Sequence, residues 1–382
     1  MVKKHINLIA LFAAVFAVGA LATPKSFVFQ HEIGLFLWQP DYFRDVFAGG
    51  FPVCTLLGDY LVQFYKFPLV GPLCTALIVC GIFLMLKGIL GRFWRFGEIC
   101  ALALSLVAWF FIARSTTPII GLAVLLIIAA LSVLMAVLWR IFAPSRKAAQ
   151  MKQAPAISLA VVAVAAVIIV ADPVIRNLET WARIETAARQ SKWDKVLKAA
   201  TPKAAAKDRE MVPYALMAAS AKGQLPSALT RYKVANPGEM DFFGVQNRRG
   251  YYFESLLSEQ VGCTNEAVHN IFQCACHMHR GTSFVVLLQL VRYNIELGNY
   301  TMVRKYCEVL RRSTVYRSTA NKILAMYAGK ADEIVDSGPA ATTAHITENP
   351  MINLAFMGQA GLKAPVIAAR YNAYGKVLGL TK

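Results

Sequence analysis

Four stretches of this chain, residues 69–90, 96–113, 119–142 and 156–175, are apolar almost throughout. Each approaches the ~20 residues that an α-helix rising 1.5 Å per residue needs to cross about 30 Å of hydrocarbon. A backbone in lipid must satisfy its own hydrogen bonds, so such windows fold as helices or not at all. A fifth window, 6–23, is shorter at 18 residues. Lys3, Lys4 and His5 precede it and Ala20-Leu21-Ala22 close it, so it reads either as a retained span or as a cleaved signal segment. The retained span is the reading adopted. The 382 residues are 57% hydrophobic and 16% charged, which places the chain in the membrane class. Charge divides it in two. Residues 1–174 hold 13 Lys and Arg with 6 Asp and Glu, whereas 175–382 hold 27 and 16, an ordinary globular density.

Orientation follows from the Lys and Arg of the short connections, because positive residues are retained on the cytoplasmic side. With the N-terminus inside, nine fall on inner segments: Lys3, Lys4, Lys87, Arg92, Arg95, Arg140, Arg146, Lys147 and Lys152. Four fall on outer ones, Lys25, Arg44, Lys66 and Arg114. Five crossings then deliver the C-terminal half outside, to the periplasm if the cell has two membranes. Ionisable groups mark ion paths and proton relays in membranes, and here Lys87, Glu98 and Asp172 stand near span ends rather than centres. The deeper polar residues are Thr75, Ser105 and Ser132, whose hydroxyls bond readily within a helix. An anchor fits this pattern better than a pump.

Between the first two spans lies a loop, 24–67, with 12 aromatic residues from Phe27 to Phe67. Val53, Leu56, Leu57, Tyr60, Leu61 and Phe64 recur at helical spacing, which predicts an amphipathic helix lying in the membrane interface. Asp41 and Asp45 are the loop's candidate catalytic carboxylates for chemistry at a lipid surface. As solvated loop charges, with Asp45 beside Arg44, they need no function.

From Val174 onward the pattern becomes helices of 10 to 18 residues separated by Gly, Asn and Pro, with no alternating strand run. The turns repeat. Gln190-Ser191-Lys192-Trp193, Lys222-Gly223-Gln224-Leu225, Val261-Gly262-Cys263-Thr264 and Leu297-Gly298-Asn299-Tyr300 follow one another at steps of 32, 39 and 36 residues. Three residues beyond each turn stands a small or β-branched residue, Val196, Ala228, Ala267 or Val303. Periods near 34 with helix–turn–helix units are the signature of tetratricopeptide-type solenoids. Gly lets the helix end in a left-handed turn, the small residue lets two helices approach, and each hairpin needs neighbours to bury its apolar face. The turn positions singled out are Trp193, Gly223, Gly262, Gly298 and Tyr300. The expected architecture is all-α: a transmembrane region over 1–175, a tetratricopeptide-like repeat domain over 176–330 and a helical extension over 331–382.

The stretch 290–313, with its Leu-Gly-x-Tyr turn and Tyr306, resembles a single tetratricopeptide repeat, departing from it at Val303, where Ala is usual, and in lacking a terminal Pro. Q-P-D-Y-F and L-V-Q-F-Y-K-F-P-L-V-G within 38–71, W-D-K-V at Trp193 to Val196, and 298–317 together resemble an uncharacterised bacterial family of polytopic membrane proteins with tetratricopeptide-like C-terminal domains. The resemblance implies architecture and no chemistry. Members carry more spans than five, and their tails differ from this chain's 349–382.

Motifs for soluble catalysis are missing: no Gly-rich phosphate loop, G-x-S-x-G elbow or H-E-x-x-H helix occurs. Cys274-Ala275-Cys276-His277-Met278-His279 is the one metal-like run, and its spacing suits neither a structural zinc site nor haem attachment. Cys263, Cys274, Cys276 and Cys307 have three full disulfide pairings open to them in an oxidising compartment, while Cys54, Cys74, Cys80 and Cys100 read as small apolar residues in or beside the spans. No cofactor or metal is expected. The net charge of +18 comes without a basic run interleaved with aromatics, so nucleic acid is not an expected partner. The expected partners are the bilayer and a protein or peptide on the repeat domain, for which Arg304, Lys305, Arg311 and Arg312 are candidate contacts with acidic groups. The function expected is a membrane-anchored scaffold. The alternatives are a membrane enzyme of envelope glycan or lipid assembly, using Asp41 and Asp45, and a transporter subunit.

Overall fold

The computed structural model describes residues 5–93, 96–115, 117–142, 155–235, 239–240, 242, 247–260, 263–278 and 280–333. Among them every regular element is helical, and the chain forms two compact units, Met1–Glu179 and Thr180–Lys382. The expected C-terminal extension lies outside the described residues from 334 onward.

The first unit contains α1 (Ile6–Ala17), continued by a π-helical turn (Val18–Ala22), then α2 (Pro24–Ile33), α3 (Pro40–Ala48), α4 (Pro52–Val62), α5 (Val70–Phe93), α6 (Gly97–Arg114), α7 (Ile119–Phe142) and α8 (Pro155–Ala171). It also holds the start of α9 (Pro173–Arg189). Proline opens α2, α3, α4, α8 and α9, where its missing N–H and fixed φ suit a first helical turn. α5 is the hub, packing against α1, α6 and α7, while α8 packs against α1 and α6. Leu11, Val15, Val79, Ile82, Ala101 and Trp109 form its dry centre.

Among the described residues two helices are long and apolar enough to cross a membrane, Val70–Gly91 and Gly97–Arg114. Two bent pairs qualify if each pair is one span: Ile6–Ala22 with Pro24–Ile33, bent by 77°, and Ala156–Ala171 with Pro173–Arg189, bent by 54°. Between two and four of the five expected crossings thus meet the requirement among the described residues. The apolar windows overran the helices for a physical reason. A residue before proline is pushed out of the α region, so Thr23 (φ −128°) ends the first helix. At the second break Asp172 turns its carboxylate onto the Val174 and Ile175 amides at 3.0 Å and starts α9. The loop expected to hold one amphipathic helix folds as three, α2, α3 and α4.

The second unit runs from the end of α9 through α10 (Trp193–Ala199), α11 (Pro202–Lys207), α12 (Met211–Ala221), α13 (Leu225–Arg231), α14 (Arg248–Gln260), α15 (Thr264–Cys276), α16 (Phe284–Glu296), α17 (Tyr300–Arg311) and α18 (Arg317–Met326). From α14 to α18 each helix packs on the next, and α12 packs on α10 and α13. Val196, Ala228, Ala267 and Val303 are all buried. α17 shows why such a helix is held by its neighbours: Val303, Cys307 and Leu310, at i, i+4 and i+7, are buried while Lys305, Arg311 and Arg312 are exposed. α12 is instead buried from Met211 to Ala219 and serves as an interior helix.

Gly223 and Gly298 take φ of +67° and +68° at their turns, a region that costs an L side chain roughly 1–2 kcal/mol. They differ in surroundings. A Cβ on Gly223 would meet nothing within 4 Å, whereas one on Gly298 would lie 2.1 Å from the Glu333 carbonyl oxygen, because 331–333 folds back onto this turn. The Glu333 amide donates to the Gly298 carbonyl at 2.9 Å, and the Thr301 amide donates to Asp332 at 2.7 Å. Gly223→Ala is therefore expected to cost about 1 kcal/mol, and Gly298→Ala about 1–3 kcal/mol more, since backbone must move. Denaturant titration of the detergent-solubilised chain checks the order; equal losses would contradict the docking of 331–333.

Candidate functional site

The segment from α2 to α4 is built around the buried Phe36, whose ring meets those of Trp38, Tyr42, Phe43 and Tyr60 edge to face at centroid distances of 5.2–6.3 Å. Tyr42 donates to Asp59 at 2.8 Å, joining α3 to α4. Asp41 and Asp45 are both exposed on α3. Asp41 stands 3.7 Å from Arg44 and accepts from the Gln39 amide at 3.1 Å. The buried polar groups of this region lie elsewhere. His31 Nδ1 is 3.3 Å from the Val62 carbonyl, which requires that nitrogen to carry the proton. Gln63 is fully buried with both amide atoms unpaired, and the hydroxyl of Tyr65, 2% exposed, is also unpaired. Burial pushes the Tyr65 phenol well above its ordinary range, and Cys74 adds to the shift. Tyr65 lines a narrow cavity of about 50 Å³ bounded by α1, α2, α6 and α8. Gly71 matters here, because a Cβ at that position would meet the Phe27 ring at 2.4 Å, and Phe27 packs edge-on against Tyr65 at 5.6 Å.

Polar groups in the spans are settled locally. Thr75, Ser105 and Ser132 donate to the carbonyls of Gly71, Ala101 and Ile128, four residues back in their own helices. At one end of the bundle Glu98 of α6 accepts from Lys87 of α5 at 2.8 Å and from Asn7 of α1 at 2.9 Å. At the other, Arg114 of α6 lies 3.7 Å from Asp172. Glu179 accepts from the Ser26 amide and hydroxyl at 2.8 and 2.9 Å and from the Lys25 amide at 3.3 Å, capping α2 from 153 residues away. Nothing local in the sequence announces these partners.

In the second unit Trp193 and Tyr300 are the first residues of α10 and α17, and Gly223 and Gly298 close α12 and α16. Gly262 lies outside the described residues, as does His279. Cys263, Cys274 and Cys307 are buried, Cys276 is exposed, and none forms a disulfide. Burial pushes the Cys274 thiol up to about 12 even though Arg248 works against the shift. His277 stacks on Tyr251 at 5.2 Å. Among the described residues no three His, Cys, Asp or Glu side chains are placed to hold a metal. Of the basic residues on α17 and at its C-terminal end, Arg304 is committed to the carbonyls of Tyr327 and Lys330 and to Thr301, and Arg311 to Glu308, while Lys305 and Arg312 are exposed.

The profile of a family of unknown function, DUF6057, matches this chain over residues 2–132 and 92–344. The chain belongs to that family. The two matches share residues 92–132, which include α6 and the start of α7, and together they take in both structural units up to 344. No curated protein and no solved structure matches the chain.

Membership leaves the second unit's own chemistry as the guide to what its residues do. One buried ion pair there is structural: Arg248 donates twice to Glu185, at 2.9 and 3.0 Å, joining α14 to α9 across 63 residues. Arg249 adds a third contact to Glu185 at 3.6 Å, and its guanidinium lies 3.8 Å from the centre of the Trp181 ring. Glu185→Gln removes the carboxylate paired with the part-buried Arg248, while Arg249 keeps Glu210, and is expected to destabilise the unit by about 3–5 kcal/mol. Replacing Glu185 and Arg248 together by Leu and Met should recover most of that loss. Denaturation of the two variants checks this, and a double variant no more stable than Glu185→Gln would contradict it.

Proposed function

We propose that this protein is a membrane-anchored scaffold whose first unit crosses the cytoplasmic membrane and whose second unit, on the far side, binds a peptide or protein partner through its helical hairpins. The observation that carries the reading is the hairpin series itself. The turns recur in the sequence every 32 to 39 residues, and the small or β-branched residue after each is buried. Stacked hairpins of the tetratricopeptide kind offer an extended surface whose exposed positions are free to vary with the partner.

Three observations support the anchor. Span-centre hydroxyls are consumed inside their own helices, so no polar path runs among the described side chains of the spans. The ionised groups of the spans, Lys87, Glu98 and Arg114, are confined to helix ends. The Lys and Arg asymmetry of nine against four favours a cytoplasmic N-terminus, and five crossings then carry the second unit outside. The reading as an enzyme of glycan or lipid assembly gains less, because Asp41 and Asp45 are exposed and the nearest cation to Asp41 is its own helical neighbour Arg44.

A photo-crosslinking residue placed at Lys305, at Arg312 and, as a control, at Asp41 tests the proposal in native membranes. The expected result is one discrete protein adduct from the α17 positions, absent from the Asp41 control, that persists when the partner is supplied as an isolated segment. Adducts only with lipid-linked sugar, or the same adducts from all three positions, would overturn the scaffold.

A further inference from the structure

We propose that the hairpin of α3 and α4 is a second attachment of the first unit to the membrane, its tip set among lipid at the boundary between headgroups and acyl chains. The inference rests on the first unit lying in a bilayer and goes beyond that reading, because α3 and α4, at 9 and 11 residues, are too short to cross one. Its starting point is a stretch without charge. From Val46 to Gly58 no Asp, Glu, Lys, Arg or His occurs, and the turn between the two helices falls inside that stretch. Phe47, Phe51, Val53 and Leu57 are 57%, 66%, 53% and 41% exposed there. Single apolar side chains on a surface are ordinary, whereas several around one turn mark a place that meets something other than water. Asp41, Arg44 and Asp45 are exposed earlier on α3, so the charge of the hairpin ends before its tip begins.

The backbone of the tip points the same way. Phe51 takes φ +51° and ψ +52°, a left-handed conformation that is costly for a residue with a bulky side chain and is disfavoured further before a proline such as Pro52. Leu69, 53% exposed at φ +70°, repeats the combination where the segment enters α5. Strain of this kind persists only where the surrounding structure holds it, and the base of the hairpin is rigid. Val46 and Cys54 are buried, Phe36 packs on Tyr42 and Tyr60, and Tyr42 donates to Asp59 across the two helices. The apolar tip is thus held out from a fixed base.

The chemistry of the tip selects its neighbour. Protein interfaces carry a polar rim and regular hydrogen bonds, but the exposed side chains between Val46 and Gly58 hold no donor and no acceptor. Hydrocarbon needs neither. The hairpin is also seated on the apolar helices of its unit: α4 packs on α7, where a Cβ on Gly58 would lie 2.8 Å from the Ile119 side chain, and α5 exposes Leu73, Leu77 and Leu84. Irregular backbone is unstable facing the hydrocarbon core. The turn at Gly49 and Gly50 therefore stays at the wet boundary while its side chains reach the acyl chains, at the depth of about 5–10 Å where interfacial helices lie.

The test places a photoreactive benzoylphenylalanine, one position at a time, at Phe47, Phe51 and Val53 of the full chain in native membranes. Asp41 serves as the aqueous control and Leu77 as the control within a span. After irradiation, mass spectrometry separates phospholipid adducts from protein adducts. The expected result is phospholipid joined through an acyl chain at all three tip positions, at about ten times the yield found at Asp41, the low end of the preference that burying one aromatic side chain provides. The three side chains replaced are more than half exposed, so the analogues disturb no packed core. Equal phospholipid yields at the tip and at Asp41 would overturn the proposal. So would protein adducts at the tip in place of lipid, whether from a second copy or another chain, and so would lipid at Leu77 with none at the tip. Absence of lipid at Leu77 would instead refute the premise that the unit lies in a bilayer, and the attachment would fall with it.

Discussion

Water is absent from the hydrocarbon of a bilayer, so every polar group on a span must find its partner inside the protein. The first unit meets that demand in two ways. Hydroxyls in span interiors return their protons to carbonyls one turn back, as Ser105 does to Ala101 at 2.7 Å. Charges are placed where helices end and are paired there, with Lys87, Glu98 and Asn7 drawing α5, α6 and α1 together and Arg114 approaching Asp172. What remains in the middle is packing alone, Leu11, Val79, Ile82 and Ala101 among the residues that make it.

The second unit solves a different problem, because each of its helices is too short to hold its shape alone. From α14 to α18 each helix packs on the next, and the small or β-branched residues Val196, Ala228, Ala267 and Val303 are buried where helices meet. Its internal charges are spent on joining helices, with Glu185 and Arg248 tying α9 to α14 and Arg304 holding the carbonyls that end α18. The cysteines fit the same picture. Burial leaves Cys274 and Cys307 as neutral thiols in the helical core, and Cys276 alone of the four is exposed.

Patterns governed by local rules were readable from the sequence. Apolar windows marked the spans, and Gly223 and Gly298 marked turns because few other residues adopt positive φ at low cost. Hydropathy could not mark where apolar helices break. The windows ran through Thr23 and Asp172, and the following prolines, with the Asp172 carboxylate as a cap, set the ends instead. The loop of 24–67 yielded one amphipathic helix to periodicity, since the aromatic contacts of Phe36 that hold α3 and α4 follow no single period. Asp41 and Asp45 drew notice as carboxylates beside aromatics, yet the buried polar residues are His31, Gln63 and Tyr65, whose burial depends on segments distant in the chain. Glu179 on Ser26 and Glu185 on Arg248, 153 and 63 residues apart, have no signature that sequence spacing carries.

The central claim is that an anchor crosses the membrane an odd number of times and leaves the hairpin unit beyond it. Cys276 is a natural reporter, because it is exposed while Cys263, Cys274 and Cys307 are buried. Intact cells, with any outer membrane made permeable, are treated with a maleimide that cannot cross the cytoplasmic membrane, and a Cys276→Ser variant shows which label belongs to that thiol. Labelling of Cys276 before the cytoplasmic membrane is opened is the result the account predicts; labelling only after it is opened would place the hairpins in the cytosol and contradict it.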